Sequence, residues 1–290
     1  MANIKSEFNH ICITSHPKIS EAKKLSEKIS SFLDARGVTS KYGQFNEGEF
    51  SKIIENGETD LLISLGGDGT MLRSGHLCGP SNVPVLGINL GKFGFLTEIE
   101  SNQWQNLLPR LFDGKYWVEK RMMLRAEQWR GSNKIGTWEV LNEVVVTRGQ
   151  IIRPVHLTAT VDGSFLATYV ADGMIAATAT GSTAYALAAG GPILPPELRN
   201  ILIVAVAPHL SVDRAVVLPE GATVSITVHT DHQAVLSPDG QPPVEMNDGD
   251  RIDACASDHS VKFIRFQEPD YFYRNLTLHM SQNPSTVNSR

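Results

Sequence analysis

Leu61-Leu62-Ile63-Ser64-Leu65-Gly66-Gly67-Asp68-Gly69-Thr70 carries an apolar run straight into a glycine-rich turn with one carboxylate. A short apolar run bounded by glycine reads as a buried strand, and the turn reads as its exit into a helix. Three glycines in four positions let the backbone take positive φ and approach a ligand closely, and their bare N–H groups form an anion-binding nest. Gly66, Gly67, Gly69 and Thr70 are therefore the candidate phosphate loop, with Thr70 placed to cap the helix. Phosphate repels a neighbouring carboxylate unless a cation or a hydroxyl proton stands between them, so Asp68 points to Mg²⁺ or to an attacking hydroxyl. The alternative is a tight strand-to-helix turn that binds nothing.

The flanking sequence places this turn in an α/β sheet. Residues 10–15 form a short apolar strand, followed by a helical face of Ile19, Ala22, Leu25, Ile29, Phe32 and Leu33 that Gly37 ends. Strands are expected over residues 38–42 and 83–88, with a helix from Thr70 between the last two strands. Strands alternating with helices predict a parallel, doubly wound, Rossmann-like sheet, in which ligands bind beyond the carboxyl ends of strands. A second glycine-punctuated turn, Gly87-Ile88-Asn89-Leu90-Gly91-Lys92-Phe93-Gly94-Phe95-Leu96, sits at the next such end. Past the helix of Trp104, Leu107, Leu108 and Leu111 the pattern becomes alternating strands over 138–146, 156–161, 216–228 and 261–266, punctuated by Asp162-Gly163, Asp239-Gly240 and Asp248-Gly249. The expected division is an α/β domain over 1–118 and a β-rich, sandwich-like domain over 119–267. The tail 268–290 is expected to pack back on the first domain and to fray from 281.

Composition narrows the partners. At 290 residues and 41% hydrophobic, the chain builds two cores without staples. A net charge of −5 offers no basic field for nucleic acid, so an anionic partner is a small molecule met at a local site. Cys12, Cys78 and Cys255 form no C-x-x-C pair, which argues against disulfides and cysteine-rich zinc and for a reducing compartment; Cys78 reads as a small buried apolar residue. The apolar run 201–207 is too short to span a bilayer, so the expectation is a cytoplasmic protein with no membrane partner.

Other chemistry-bearing groups fall in the β region. Residues 172–185, from Asp172-Gly173 to Ala184-Tyr185, describe a strand that breaks into a hydroxyl-rich loop before a short helix, where Ser and Thr either cap the helix or bind an anion. Asn142-Glu143 interrupts an apolar strand over 140–146, so its two side chains point to opposite faces and the inward one needs an internal hydrogen bond or a ligand hydroxyl. His229 and His232 lack a third ligand and read as surface histidines rather than zinc ligands. His209 lines a pocket or ends a strand, and Arg153 and Arg214 either neutralise phosphate or solvate a surface. There is no G-x-G-x-x-G, and the Gly87–Phe93 stretch is one residue short of a Walker A loop and lacks its hydroxyl.

Taken together, GGDGT at 66–70, GINLGKFGFL at 87–96, LNE at 141–143, DG at 172–173, TATGSTAYALAAGGPI at 178–193 and SPDGQ at 237–241 closely resemble bacterial NAD kinases, from about residue 10 to about residue 270. The resemblance implies phosphorylation of the 2′-hydroxyl of the adenosine ribose of NAD by ATP, another nucleoside triphosphate or polyphosphate, giving NADP. It further implies Mg²⁺ or another divalent cation, with no metal-ligand set of the protein's own, and homo-oligomers, tetramers or dimers, built on the second domain. By motif, Asp68 corresponds to the catalytic aspartate with Gly69 beside it in nucleotide contact, and Phe95 to the aromatic beside adenine. Asn142, Glu143 and Asp172 correspond to dinucleotide contacts, Thr183, Ala184, Tyr185, Ala186, Leu187 and Ala188 to the segment that wraps it, Gln241 to the end of the DGQ loop, and Arg153 to a basic contact. Ala179 replaces the family's proline, which removes a φ restraint, and 208–215 keeps His209 and Arg214 but shifts the Leu-Ser pair. The competing readings are a lipid or sugar kinase sharing the GGDGT turn, and a non-catalytic NAD(P) sensor.

Overall fold

The computed structural model describes residues 8–91, 94–209, 214–274 and 276. The readings made of residues 1–7, of Lys92 and Phe93, of 210–213 and of the tail beyond 276 lie outside these residues. Arg121–Ser260 forms one compact unit, and the chain on either side of it, up to Lys120 and from Val261, forms another.

The unit that holds both ends of the chain alternates strand and helix: β1 (His10–Ser15), α1 (Ser20–Asp34), β2 (Thr39–Tyr42), α2 (Gly48–Glu55), β3 (Leu61–Gly66), α3 (Asp68–Ser81), β4 (Val85–Asn89), β5 (Ile99–Glu100) and α4 (Trp104–Phe112). Its strands lie in the order β2-β1-β3-β4 and every pair is parallel, with Ile13 beside Ile63 and Leu62 beside Val85. Every residue of β3 is buried, as expected of a parallel strand covered on both faces. The core joins Ile11, Ile13, Ile63, Leu65 and Ile88 of the sheet to Ala22, Ile29 and Leu33 of α1 and to Trp104 and Leu108 of α4. The doubly wound α/β expectation holds, and GGDGT lies at the carboxyl end of β3, where such sheets bind ligands.

The chain passes into the other unit along β6 (Trp117–Arg130), which forms a hairpin with β7 (Asn133–Val140). There follow β8 (Glu143–Arg148), β9 (Val155–Val161), β10 (Ser164–Ala171), β11 (Gly173–Ala177), the one-turn helix α5 (Tyr185–Ala188), β12 (Asn200–Val206), β13 (Val216–Pro219), β14 (Thr223–His229), β15 (Ala234–Pro238), β16 (Val244–Met246) and β17 (Arg251–Arg265). One antiparallel sheet runs β13-β12-β11-β8-β15-β16, and a second antiparallel array sets β10, β9, β14 and the first part of β17 side by side. Leu157, Ile226 and Ile252 of the second array pack with Met174, Ile203 and Leu236 of the first, a sandwich core. β14 shows why: Val224, Ile226 and Val228 are buried while the residues between them are not, the alternation of a sheet with one face in the core. The sandwich-like, β-rich reading therefore also holds.

Two expected strands divide. Residues 138–146 are not one strand, because β7 ends at Val140 and β8 opens at Glu143 in a different sheet, with Leu141-Asn142 making the bend. Residues 216–228 split at Pro219, where the Ala222 N–H turns back to the Pro219 carbonyl.

Candidate active site

The GGDGT turn takes its shape from packing rather than from backbone handedness. None of Gly66, Gly67 and Gly69 has a positive φ, contrary to the expectation from their number. α3 opens at Asp68 with Gly67 as its N-cap, so Thr70 is a helical residue and does not cap. Its hydroxyl instead packs against Gly66, where a Cβ would collide with it. Gly67 and Gly69 differ: a Cβ at either would meet nothing within 4 Å, and Gly69 is exposed. The fold itself gives those two positions no reason to be glycine, so the ligand-free tight turn does not account for them. Open space above amides that begin a helix, which have no carbonyl partner within it, is the geometry of an anion site.

Asp68 is half-buried and aimed by the second glycine turn. Its Oδ2 accepts the Phe95 N–H at 2.8 Å and its Oδ1 the Leu96 N–H at 3.0 Å. A Cβ at Gly94 would run into this carboxylate, which explains the glycine of the GFL element. Each oxygen keeps a lone pair after one amide bond, so the carboxylate is fixed yet able to accept a further proton donor or a cation. Asp68, Gly69 and half-buried Phe95 therefore belong to one cluster.

In the β-rich unit a second cluster forms around the bend at Leu141-Asn142. Asp239 is buried and its carboxylate accepts three consecutive backbone N–H groups, those of Leu141 at 2.6 Å, Asn142 at 2.9 Å and Glu143 at 2.8 Å. Thr178 ties the hydroxyl-rich loop to the same bend, donating its hydroxyl to the Leu141 carbonyl at 2.6 Å and its N–H to the Asn142 carbonyl at 2.8 Å. A Cβ at Gly181 would strike the Asn142 carbonyl, so the glycine of TATG is a close-approach residue. The loop hydroxyls are engaged within the protein: Ser182 donates to the Ala179 carbonyl, Thr183 donates to the Thr180 carbonyl, Thr178 also accepts the Gly181 N–H, and Thr180 accepts from Arg121.

Asn142 is half-buried and lies in the bend outside β8, whereas Glu143 opens β8 and is 7% exposed with its Oε2 unpaired, so the two do not share one strand and the inward member of the pair is the glutamate. Burial raises the Glu143 carboxyl to about 8, the charge of Asp239 adds to the rise, and the Tyr185 N–H pulls against it. That N–H brings the wrapping segment to the Asn-Glu pair. Within the segment Ala186 is buried, Thr183, Ala184 and Leu187 are half-buried, and Tyr185 and Ala188 are exposed. Gln241 is exposed two residues past Asp239, its N–H on the Pro238 carbonyl.

Asp172 and Arg153 are not brought to this cluster. Glu143 pairs with Ala177 at one end of the β8–β11 ladder, and Asp172 lies beyond the other end, where it accepts from Arg148 at 3.0 Å. Exposed Arg153 lines a cleft of about 490 Å³ with His156, His229, Asp231 and His232. His209 is exposed, with its N–H on the Val170 carbonyl, and Cys78 is fully buried, which pushes its thiol pKa well up. Sequence reasoning missed Asp239, Thr178 and Arg148. The signal for Asp239 was present in the SPDGQ stretch, where Asp239-Gly240 was read as a turn alone; both residues do have positive φ.

Among the described residues no group of three His, Cys, Asp or Glu side chains is placed to hold a metal ion, and no helix is long and apolar enough to cross a membrane. The lone carboxylate of Asp68 fits a Mg²⁺ ion that phosphate oxygens and water hold for the most part, the usual way this ion is bound beside nucleotides.

Comparison with known proteins bears on both clusters. The ATP-NAD kinase N-terminal domain matches residues 5–116 and the ATP-NAD kinase C-terminal domain matches residues 141–266. The NAD kinase of Chloroflexus aggregans is 37% identical over 276 residues, covering 95% of this chain and all of the relative. Two solved structures share the fold: yeast NADH kinase complexed with NADH, with a TM-score of 0.83 at 23% identity over 100% of this chain and 95% of that one, and an NAD kinase from Archaeoglobus fulgidus in complex with ATP, with a TM-score of 0.76 at 24% identity over 94% of this chain and 100% of that one. With both domains matched in order and a relative aligned over its full length, the chain belongs to the NAD kinase family.

Proposed function

We propose that this chain transfers the terminal phosphoryl group of ATP to the 2′-hydroxyl of the adenosine ribose of NAD, giving NADP. The observation that carries the reading is the turn at 66–70, where Gly67 and Gly69 stand open for a reason the fold does not supply and Asp68 is fixed beside them by two amides. Phosphoryl transfer asks the protein mainly for alignment and charge neutralisation. The amides of Gly66, Gly67 and Gly69 hold the donor phosphates, and Asp68 accepts or orients the proton of the ribose hydroxyl. Mg²⁺, or another divalent cation carried on those phosphates, neutralises their charge. Asn142 and Glu143, with the 183–188 segment and Gln241, take the polar groups of the dinucleotide, and Phe95 takes the adenine. The unpaired Glu143 Oε2 supports a ligand hydroxyl there, since a buried polar atom without a partner costs stability.

The decisive assay mixes purified chain, ATP, Mg²⁺ and NAD with an NADP-specific dehydrogenase. Steady reduction of newly formed NADP is the expected result, and none formed at any donor concentration overturns the reading. Nothing in the comparisons favours a lipid or sugar kinase or a ligand sensor. We place the enzyme in the cytoplasm as a homo-oligomer, tetramer or dimer. Its unpaired cysteines support the compartment, and the outer strand β10, with Phe165 69% exposed and Leu166 beside it, supports association through the β-rich unit. Light scattering that returns a monomer mass would remove the oligomer.

A further inference from the structure

Arg265 has no exposed surface, and it lies in the same unit as Asp68. Its Nε donates to Glu119 Oε2 at 2.9 Å, and its Nη1 donates to the Leu96 carbonyl at 3.0 Å, to the Thr97 carbonyl at 3.4 Å and to Glu98 Oε2 at 3.3 Å. Both carboxylates are held in turn. Glu98 Oε1 accepts the N–H groups of Phe266 at 2.7 Å and Gln267 at 2.9 Å, and the Tyr271 hydroxyl lies 2.9 Å and 3.1 Å from the two oxygens of Glu119. Burial pulls the guanidinium pKa down, but Glu119, Tyr271 and Glu98 outweigh it and raise it, so Arg265 stays a cation.

A buried charge cluster is a poor way to gain stability alone, since well-packed apolar residues of the same volume usually serve as well. What sets this one apart is the peptide it grips. Leu96 gives its carbonyl to Arg265 and its N–H to Asp68, so one residue links the guanidinium to the carboxylate, with the Phe95 N–H on the other carboxylate oxygen.

We propose that Arg265 is a positioning residue for Asp68, holding the Leu96 and Thr97 carbonyls so that the amides of Phe95 and Leu96 aim the carboxylate; this rests on the proton-accepting role proposed for Asp68. Glu119 and Tyr271 set the plane of the guanidinium. Lysine does not replace it, because a point charge with rotatable donors lacks the rigid fork that reaches carbonyls and carboxylate together.

The test is a double-mutant cycle on the full-length chain. Tyr271→Phe and Arg265→Lys are made alone and in an Asp68→Asn background, and kcat and the KM for NAD and ATP are measured for each. A misplacement of about 1 Å costs about 10²-fold in rate, so Arg265→Lys is expected to lower kcat about 10–100-fold and Tyr271→Phe about 3–10-fold, with each KM within about twofold. In the Asp68→Asn background the same changes are expected to lower kcat by less than about twofold, because the group being aimed no longer accepts the proton. Equal losses in both backgrounds make the cluster merely structural and overturn the proposal, as does an unchanged kcat in both single variants. Tyr271→Phe deletes one hydroxyl and leaves the ion pair, so it carries the cycle if Arg265→Lys does not fold. Asp68→Asn with unchanged kcat defeats the role of Asp68 itself, whereas a lowered kcat with an additive cycle defeats the positioning role alone.

Discussion

Two aspartates bond to their surroundings alike and serve different ends. Asp68 accepts two backbone amides from a turn 27 and 28 residues away, and Asp239 accepts three from a bend 96 to 98 residues away. Asp239 is 7% exposed, and its carboxylate is taken up by the bend it organises. Asp68 is half-buried, spends one lone pair per oxygen and sits beside two glycines that face open space. The same amide-to-carboxylate device thus builds a scaffold where it is sealed and, in the role proposed for Asp68, a proton acceptor where it is left ajar. Access, more than bonding, separates the two.

The contrast is put at risk first at Asp68. Asp68→Asn is expected to lower kcat by about 10²–10⁴-fold, the usual worth of a general base, with a smaller effect on the KM for NAD. Turnover near that of the parent enzyme would make Asp68 a second Asp239. Asp239→Asn is expected to act on stability, by about 2–4 kcal/mol, since it sets an amide donor against backbone N–H groups and leaves them unpaired in a buried place. Urea unfolding checks it, and a midpoint equal to that of the parent chain would show that the bend holds without its carboxylate. Gly69→Ala sharpens the comparison from the other side. With room for a methyl group and an ordinary φ, it should change stability by no more than about 1 kcal/mol while raising the KM for ATP about tenfold, and titration with ATP at saturating NAD reads the second number.

The smallest effect concerns Glu143 and pH. Its carboxyl has an ordinary value of 4.5 and is raised to about 8 in the folded chain, so between those values the folded state holds a proton that the unfolded state has released. The stability this group contributes is therefore complete below about pH 4.5 and is lost as the pH rises through about 8. Glu143→Gln should remove that part of the slope, and urea midpoints measured at about pH 5 and about pH 8 in both proteins test it; identical slopes would mean Glu143 is not held protonated.

What could be read from sequence was what is local. The buried run 61–65, its glycine exit and the helix behind it lie within some twenty consecutive residues, so periodicity and turn chemistry suffice for β3, α3 and the placing of Asp68. Glycine was legible as a residue type but not as a reason: Gly66 and Gly94 make room for Thr70 and Asp68, and only coordinates separate them from Gly67 and Gly69. Strand 138–146 misled because apolar residues resume directly after a bend that changes sheets, and the residue that stabilises this bend lies almost a hundred positions downstream. The same distance hid the partnership of Arg265 with Glu98 and Glu119, at separations of 167 and 146 residues.

That last separation has a bearing on biosynthesis. Glu98 and Glu119 are translated early, and their cation arrives only after all of Arg121–Ser260 has been made. Domains generally complete themselves in the order they leave the ribosome. Here the half of the enzyme that is begun first is finished last, and a message cut short before the codon for Arg265 yields a product with two interior acids and no counterion, marked for proteolysis rather than for weak activity.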